Sequence, residues 1–133
     1  MRTSLVVLLL VLTLALFGLA ACGGTGGTAA TTAPSGGAGD PAAGQATFQA
    51  NCARCHSVQA GVTIVGPSLA GIGTKAGTMV SGMSAAQFLR QSIVDPNANI
   101  TAGFSAGIMP NSFGTQLTSQ QIDDVVAYLL TLK

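Results

Sequence analysis

Cys52-Ala53-Arg54-Cys55-His56 puts two thiols and an imidazole within five residues, in a chain that has three cysteines and one histidine in all. C-x-x-C-H is the spacing of covalent c-type haem attachment. Two thiols add across the two porphyrin vinyl groups, and the next residue sets an imidazole beneath the iron. The competing readings fail on neighbours. A thioredoxin-like redox pair needs a strand before it and a long helix after it. A zinc site needs further Cys or His ligands. Neither surrounds the motif, because the remaining cysteine is Cys22, far upstream at the end of an apolar leader. No partner is left for a disulfide.

That leader bounds the rest. Met1-Arg2 is a short positive start, Leu5 to Phe17 is apolar, and Leu19-Ala20-Ala21-Cys22 follows with small residues at a cleavage position. The tetrad reads as a lipobox, so residues 1–21 form a lipoprotein signal and Cys22 carries lipid as the new N-terminus. The alternative is a retained membrane-spanning helix, since Ser4 to Ala21 approaches the ~20 residues needed to span. The run ends in a cysteine and breaks into glycine, which favours the lipid anchor. On either reading the remaining chain lies beyond the cytoplasmic membrane.

Residues 22–39 are a Gly/Thr/Ala tether with nothing to bury. As a flexible coil it reaches roughly 25 Å. Residues 40–133 form the single folded domain. The formal net charge of +1 includes Arg2. Beyond the leader, Arg54, Lys75, Arg90 and Lys133 balance Asp40, Asp95, Asp123 and Asp124. No basic stripe exists to follow phosphates, so nucleic-acid binding has no electrostatic basis.

The domain reads as all-α: three to five helices around one covalent haem, with long loops. Asp40-Pro41 is an N-cap followed by a favoured first helical residue, which predicts a helix over 41–51. Ser84-Ala85-Ala86-Gln87 is a capping box ahead of Phe88, Leu89, Ile93 and Val94, and Asp95-Pro96 ends that helix. Thr118-Ser119-Gln120-Gln121 is a second capping box. Ile122, Val125, Val126, Leu129 and Leu130 then mark one face, with Asp123 and Asp124 expected in the first turn, where the helix dipole favours negative charge. Residues 61–82 and 95–117 read as loop. So few helices enclose little core, and small domains of this kind depend on a metal, disulfide or cofactor.

A lone histidine rules out bis-histidine ligation within one chain. The sixth position falls to methionine, to water or to nothing. Met109, in Gly107-Ile108-Met109-Pro110, is the leading candidate, because Pro110 stiffens its loop and the intervening chain is long enough to return around the porphyrin. Met83 is second and Met79 third, and gap-filling in the core is the bland role for each. A metal-bound histidine donates its other ring N–H to a carbonyl or carboxylate. The carbonyl of Pro67, in Gly66-Pro67-Ser68-Leu69, is in sequence reach for that role. An ordinary turn there is an equal alternative.

Taken in order, N-terminal helix, C-x-x-C-H, Gly-Pro-x-Leu, Met-Pro and C-terminal amphipathic helix, the chain resembles the class I cytochrome c family over about residues 40–133. The resemblance implies that Gly44 and Phe48 meet Tyr128 and Leu129 where the first and last helices cross, making Tyr128 a core residue. From Gly73 onward it is similar to the cytochrome c domains of haem-copper oxidase subunit II and to the monohaem subunit of alternative complex III. A membrane-tethered one-electron carrier is the function implied, serving redox protein partners such as a quinol-oxidising complex or a terminal oxidase, with no small-molecule substrate. One departure stands out: the lysine ring with which mitochondrial-type members dock is missing. Two rival readings remain. One is an open-site haem enzyme or gas sensor, which would want either a distal histidine, which this chain lacks, or an empty pocket at the sixth position. The other is a haem-bearing subunit that serves mainly to stabilise a larger complex.

Overall fold

Asp40 opens the first helix. Its carboxylate accepts from Ala42 N at 2.8 Å, Pro41 occupies the first helical position, and α1 runs Pro41–Asn51. The structure is a computed structural model and describes residues 38–133. The leader, the lipidation candidate Cys22 and the tether up to residue 37 lie outside the described residues.

Four further helices follow: α2 (Ile72–Met79), α3 (Ala85–Val94), α4 (Phe113–Gln116) and α5 (Ser119–Thr131). The described residues contain no strand. Both predicted capping boxes form in full. Ser84 and Gln87 exchange side-chain-to-backbone bonds at the start of α3, as do Thr118 and Gln121 at the start of α5. In α3 the residues Phe88, Leu89 and Ile93 are buried, while Val94, expected among them, is exposed.

The first and last helices make the most extensive helix pair. Phe48 and Val125 are fully buried between them, and the Phe48 and Tyr128 rings tilt together with centroids 5.4 Å apart. Gly44 permits the approach. A methyl group there would overlap the Asp124 carbonyl and lie 3.0 Å from Tyr128 Cβ. Tyr128 is therefore a packing residue, in agreement with its place in the sequence.

One expectation is corrected here. Thr118 is the cap, so Asp123 and Asp124 fall in the second turn of α5, beyond the unbonded N–H groups that concentrate the dipole. Their carboxylates are used laterally instead. Asp124 is buried, accepting from Asp40 N and from Gln120 Nε2, each at 2.8 Å, and so ties the start of α1 to α5. Asp123 pairs with Arg90 of α3. That pair is partly exposed, and exposed pairs of this kind add little stability.

Two helices lie in stretches that the sequence presented as loop. α2 contains two glycines and has Gly71 as an uncapped N-terminus, so its local propensity is weak. Packing holds it: Ala76 is completely buried, and Gly73 N donates to Leu132 O at 2.8 Å. α4 is a single turn anchored by buried Phe113, too short to show a period.

Candidate functional site

The attachment motif is built directly onto the end of α1. Cys52 N and Ala53 N both donate to Phe48 O, and Cys55 N and His56 N both donate to Cys52 O at 3.0 and 2.9 Å. This tight turn carries both cysteines and the imidazole to one cavity of about 370 Å³. The volume falls within the ~300–1,000 Å³ of cofactor clefts. Phe48, Leu69, Phe88, Leu89, Ile93 and Phe113 supply apolar wall, and Cys52, Cys55, His56, Pro67 and Met109 all border the same space. All the non-lipid site residues read from the sequence are therefore brought together.

The imidazole is oriented from behind. His56 Nδ1 lies 2.9 Å from Pro67 O. A carbonyl can only accept, so Nδ1 carries the proton, and in the neutral ring Nε2 then keeps the lone pair that a metal ligand requires. Gly66 adds a second constraint. Any Cβ at that position would overlap His56 Cε1 and sit 2.9 Å from Nδ1, so only glycine lets the backbone pass against the ring. Val65 N and Gly66 N both donate to Cys55 O, which locks this strap to the motif. The Gly-Pro pair was legible as a turn; the part its glycine plays was not.

Four observations test whether a covalent porphyrin suits these residues. The cysteines are both free, not joined to each other. Burial, with a smaller contribution from neighbouring Cys55, pushes the Cys52 thiol up to about 11, whereas the attacking cysteine of a redox pair is held low. No cluster of His, Cys, Asp or Glu that could hold a zinc ion occurs among the described residues. Finally, Ser92 Oγ, on the cavity wall in α3, is buried without a protein hydrogen-bond partner. A hydroxyl abandoned in this way costs about 1–3 kcal/mol, and its place on the cavity wall leaves it open to a partner carried by the group that fills the cavity. The residues fit the group.

Ser92 yields a direct check. Ser92→Ala in the haem-loaded protein is expected to lower stability by about 1 kcal/mol, measured by denaturant unfolding. Unchanged or increased stability would mean that the hydroxyl gains no partner from the haem.

The methionines separate by position. Met109 lies in the loop before α4, half-buried against the core and facing the cavity. Its loop is held two residues upstream, where Gly107, at φ 80°, donates its N–H to Asn97 Oδ1 at 2.8 Å. Asn97 was not assigned from the sequence, and no local signal links it to Gly107. Met79 also borders the cavity from the end of α2, but it is largely exposed. Met83, ranked above Met79 on sequence, packs on the core away from the cavity wall.

The family model for cytochrome c matches residues 41–133. Cytochrome c-554(547) of Halothiobacillus neapolitanus is 35% identical over 100 residues, which cover 72% of this chain and 100% of that protein. No solved structure matches the chain. A match that runs from the first helix to the last residue, with the attachment motif inside it, shows that the chain belongs to the cytochrome c family as a class I monohaem member with covalently bound haem c.

Proposed function

We propose that this haem-based electron carrier works with His56 and Met109 as axial ligands, anchored outside the bacterial cytoplasm by lipid on Cys22. One observation carries the ligation: His56 and Met109 border the same cavity, and the outer nitrogen of His56 is already engaged by Pro67. Haem c supplies a one-electron Fe(III)/Fe(II) couple when bound. The protein's work is to hold the ligand set unchanged through the cycle. Pro67 keeps the imidazole in one tautomer, Asn97 and Pro110 restrain the Met109 loop, and the apolar wall keeps water away. A thioether ligand favours the reduced state and raises the potential relative to a second imidazole.

Anchoring rests on Leu19-Ala20-Ala21-Cys22 and the tether after it. No helix among the described residues is long and apolar enough to cross a membrane. A domain at a root-mean-square distance of roughly 25 Å from its anchor suits exchange with membrane complexes, either a quinol-oxidising complex as donor or a terminal oxidase as acceptor, or permanent residence in one of them. Stopped-flow mixing of the reduced protein with oxidase-containing membranes of its host tests the reading. Oxidation of the haem within an oxidase turnover is expected. Haem that stays reduced while the oxidase consumes oxygen would end it.

A further inference from the structure

The eight charged side chains of the domain are unevenly placed. Residues 57–74 and 96–122 contain no Asp, Glu, Lys or Arg, and these two stretches supply most of the loops around the cavity. Arg54 and Lys75 are the charged side chains that border it. Arg90 is occupied by Asp123 on another face.

The first charge-free loop presents aliphatic side chains outward. Val58, Val62, Ile64 and Val65 are 37%, 40%, 51% and 50% exposed. Val65 borders the cavity, so a bound porphyrin covers part of it. Val58, Val62 and Ile64 do not, and they stay in solvent with the cavity filled. Nor is this loop slack. Val62 N donates to Gln59 O, Ser68 Oγ to Gln59 O at 2.7 Å, and Leu69 N to Ser57 O at 2.8 Å. Val65 N and Gly66 N both donate to Cys55 O. An ordered platform thus holds branched aliphatics in water, directly attached to the residue that carries one thioether. Four exposed aliphatics within residues 58–65 of one pinned loop are apolar surface of the kind that marks an interaction site.

We infer that Val58, Val62 and Ile64, with the rim residue Val65, form the docking face for a redox protein whose matching surface is apolar and uncharged. The inference rests on the electron-carrier reading above and names the chemistry of its partner. A protein fits better than a lipid surface. Peripheral membrane contacts use Lys or Arg around large aromatic side chains, and residues 57–74 contain neither. Over residues 57–74 a charged partner surface would lose its hydration without gaining a counter-charge. Recognition therefore comes from apolar burial beside the porphyrin. Attraction at a distance contributes little, and a tether substitutes for it by keeping the carrier close.

The test compares the wild-type protein with Val62→Gln/Ile64→Gln, a change that leaves charge untouched and falls on exposed positions. Oxidation of each reduced, haem-loaded protein by host membranes is followed by stopped flow, with hexacyanoferrate(III) as a small oxidant. The wild-type rate with membranes is expected to change by less than about twofold from roughly 20 to 300 mM salt. The double variant is expected to lose about tenfold with membranes and to match wild type with hexacyanoferrate(III). A wild-type rate that falls tenfold with salt, or a variant as fast as wild type, overturns the proposal. So does wild-type binding to protein-free phosphatidylcholine vesicles that the variant loses, which would make the face a lipid surface. Sedimentation showing a wild-type dimer that the variant lacks would assign the face to a second copy. If membranes oxidise neither protein while hexacyanoferrate(III) oxidises both, the carrier reading itself has failed.

Discussion

Leucine at Met109 is expected to remove the sulfur-to-iron absorption band of the ferric protein and to lower the midpoint potential. The fall should be on the order of 100–300 mV, within the ~0.8 V span over which axial ligands tune haem. The same variant should bind carbon monoxide rapidly once reduced, because leucine offers the iron no lone pair. Leucine is chosen because it keeps the volume of a side chain half-buried against the core. A volume-conserving exchange costs less than about 1.5 kcal/mol, so loss of the band would not be a symptom of unfolding. Met79 also borders the cavity, and Met79→Leu is the paired control. If the band survives in Met109→Leu and vanishes in Met79→Leu, the ligand assignment goes to the wrong loop. If both variants keep it, neither side chain supplies the sulfur, and the ligand is Met83, the other methionine of residues 40–133.

Alanine at Gly44 should reverse the usual sign of a helical glycine substitution. At an exposed helix position the change gains about 1 kcal/mol, because glycine has the greater backbone freedom to lose. Here the added methyl would overlap the Asp124 carbonyl across the α1–α5 crossing. That obstacle is backbone, fixed in a helix that is capped at Thr118 and buried along Val125 and Leu129. Relief requires the two helices to separate, which loosens Phe48 from Tyr128 and opens the core. The expected loss is about 3 kcal/mol or more by denaturant unfolding of the haem-loaded protein, a large part of the 5–15 kcal/mol a domain has. A loss below about 1 kcal/mol would show that the helices can slide apart cheaply. The glycine would then not be what sets their distance.

The two predictions differ in how far the sequence anticipates them. Gly44 and Tyr128 were paired through the family resemblance, and the position of each on an apolar helix face agreed with it. Met109 was picked from its proline, its distance along the chain from His56 and the absence of a second histidine. The order of the other two methionines came out reversed with respect to the cavity, for a definite reason. Met83 lies close to a cap and Met79 lies in a glycine-rich stretch that looks unstructured. Only the packing of Ala76 and the bond from Gly73 N to Leu132 O turn that stretch into α2 and bring Met79 to the cavity rim. Asp124 is a similar case. Its sequence position suggests a dipole partner, yet its carboxylate spans to Asp40, which is remote in the chain.

By itself, then, the sequence determined whatever depends on neighbours a few residues apart: the thiol pair and its imidazole, the two capping boxes and the proline stop after α3. Those signals are local because the atoms that interact lie within one or two helical turns. Tertiary structure alone decided which segments without local propensity became helical, why Gly66 must lack a side chain, what holds the Met109 loop, and where Ser92 points. Each of those outcomes turns on contacts between residues far apart in the chain, whose energies exist only once α1 and α5 have crossed and the cavity has formed between them and α3.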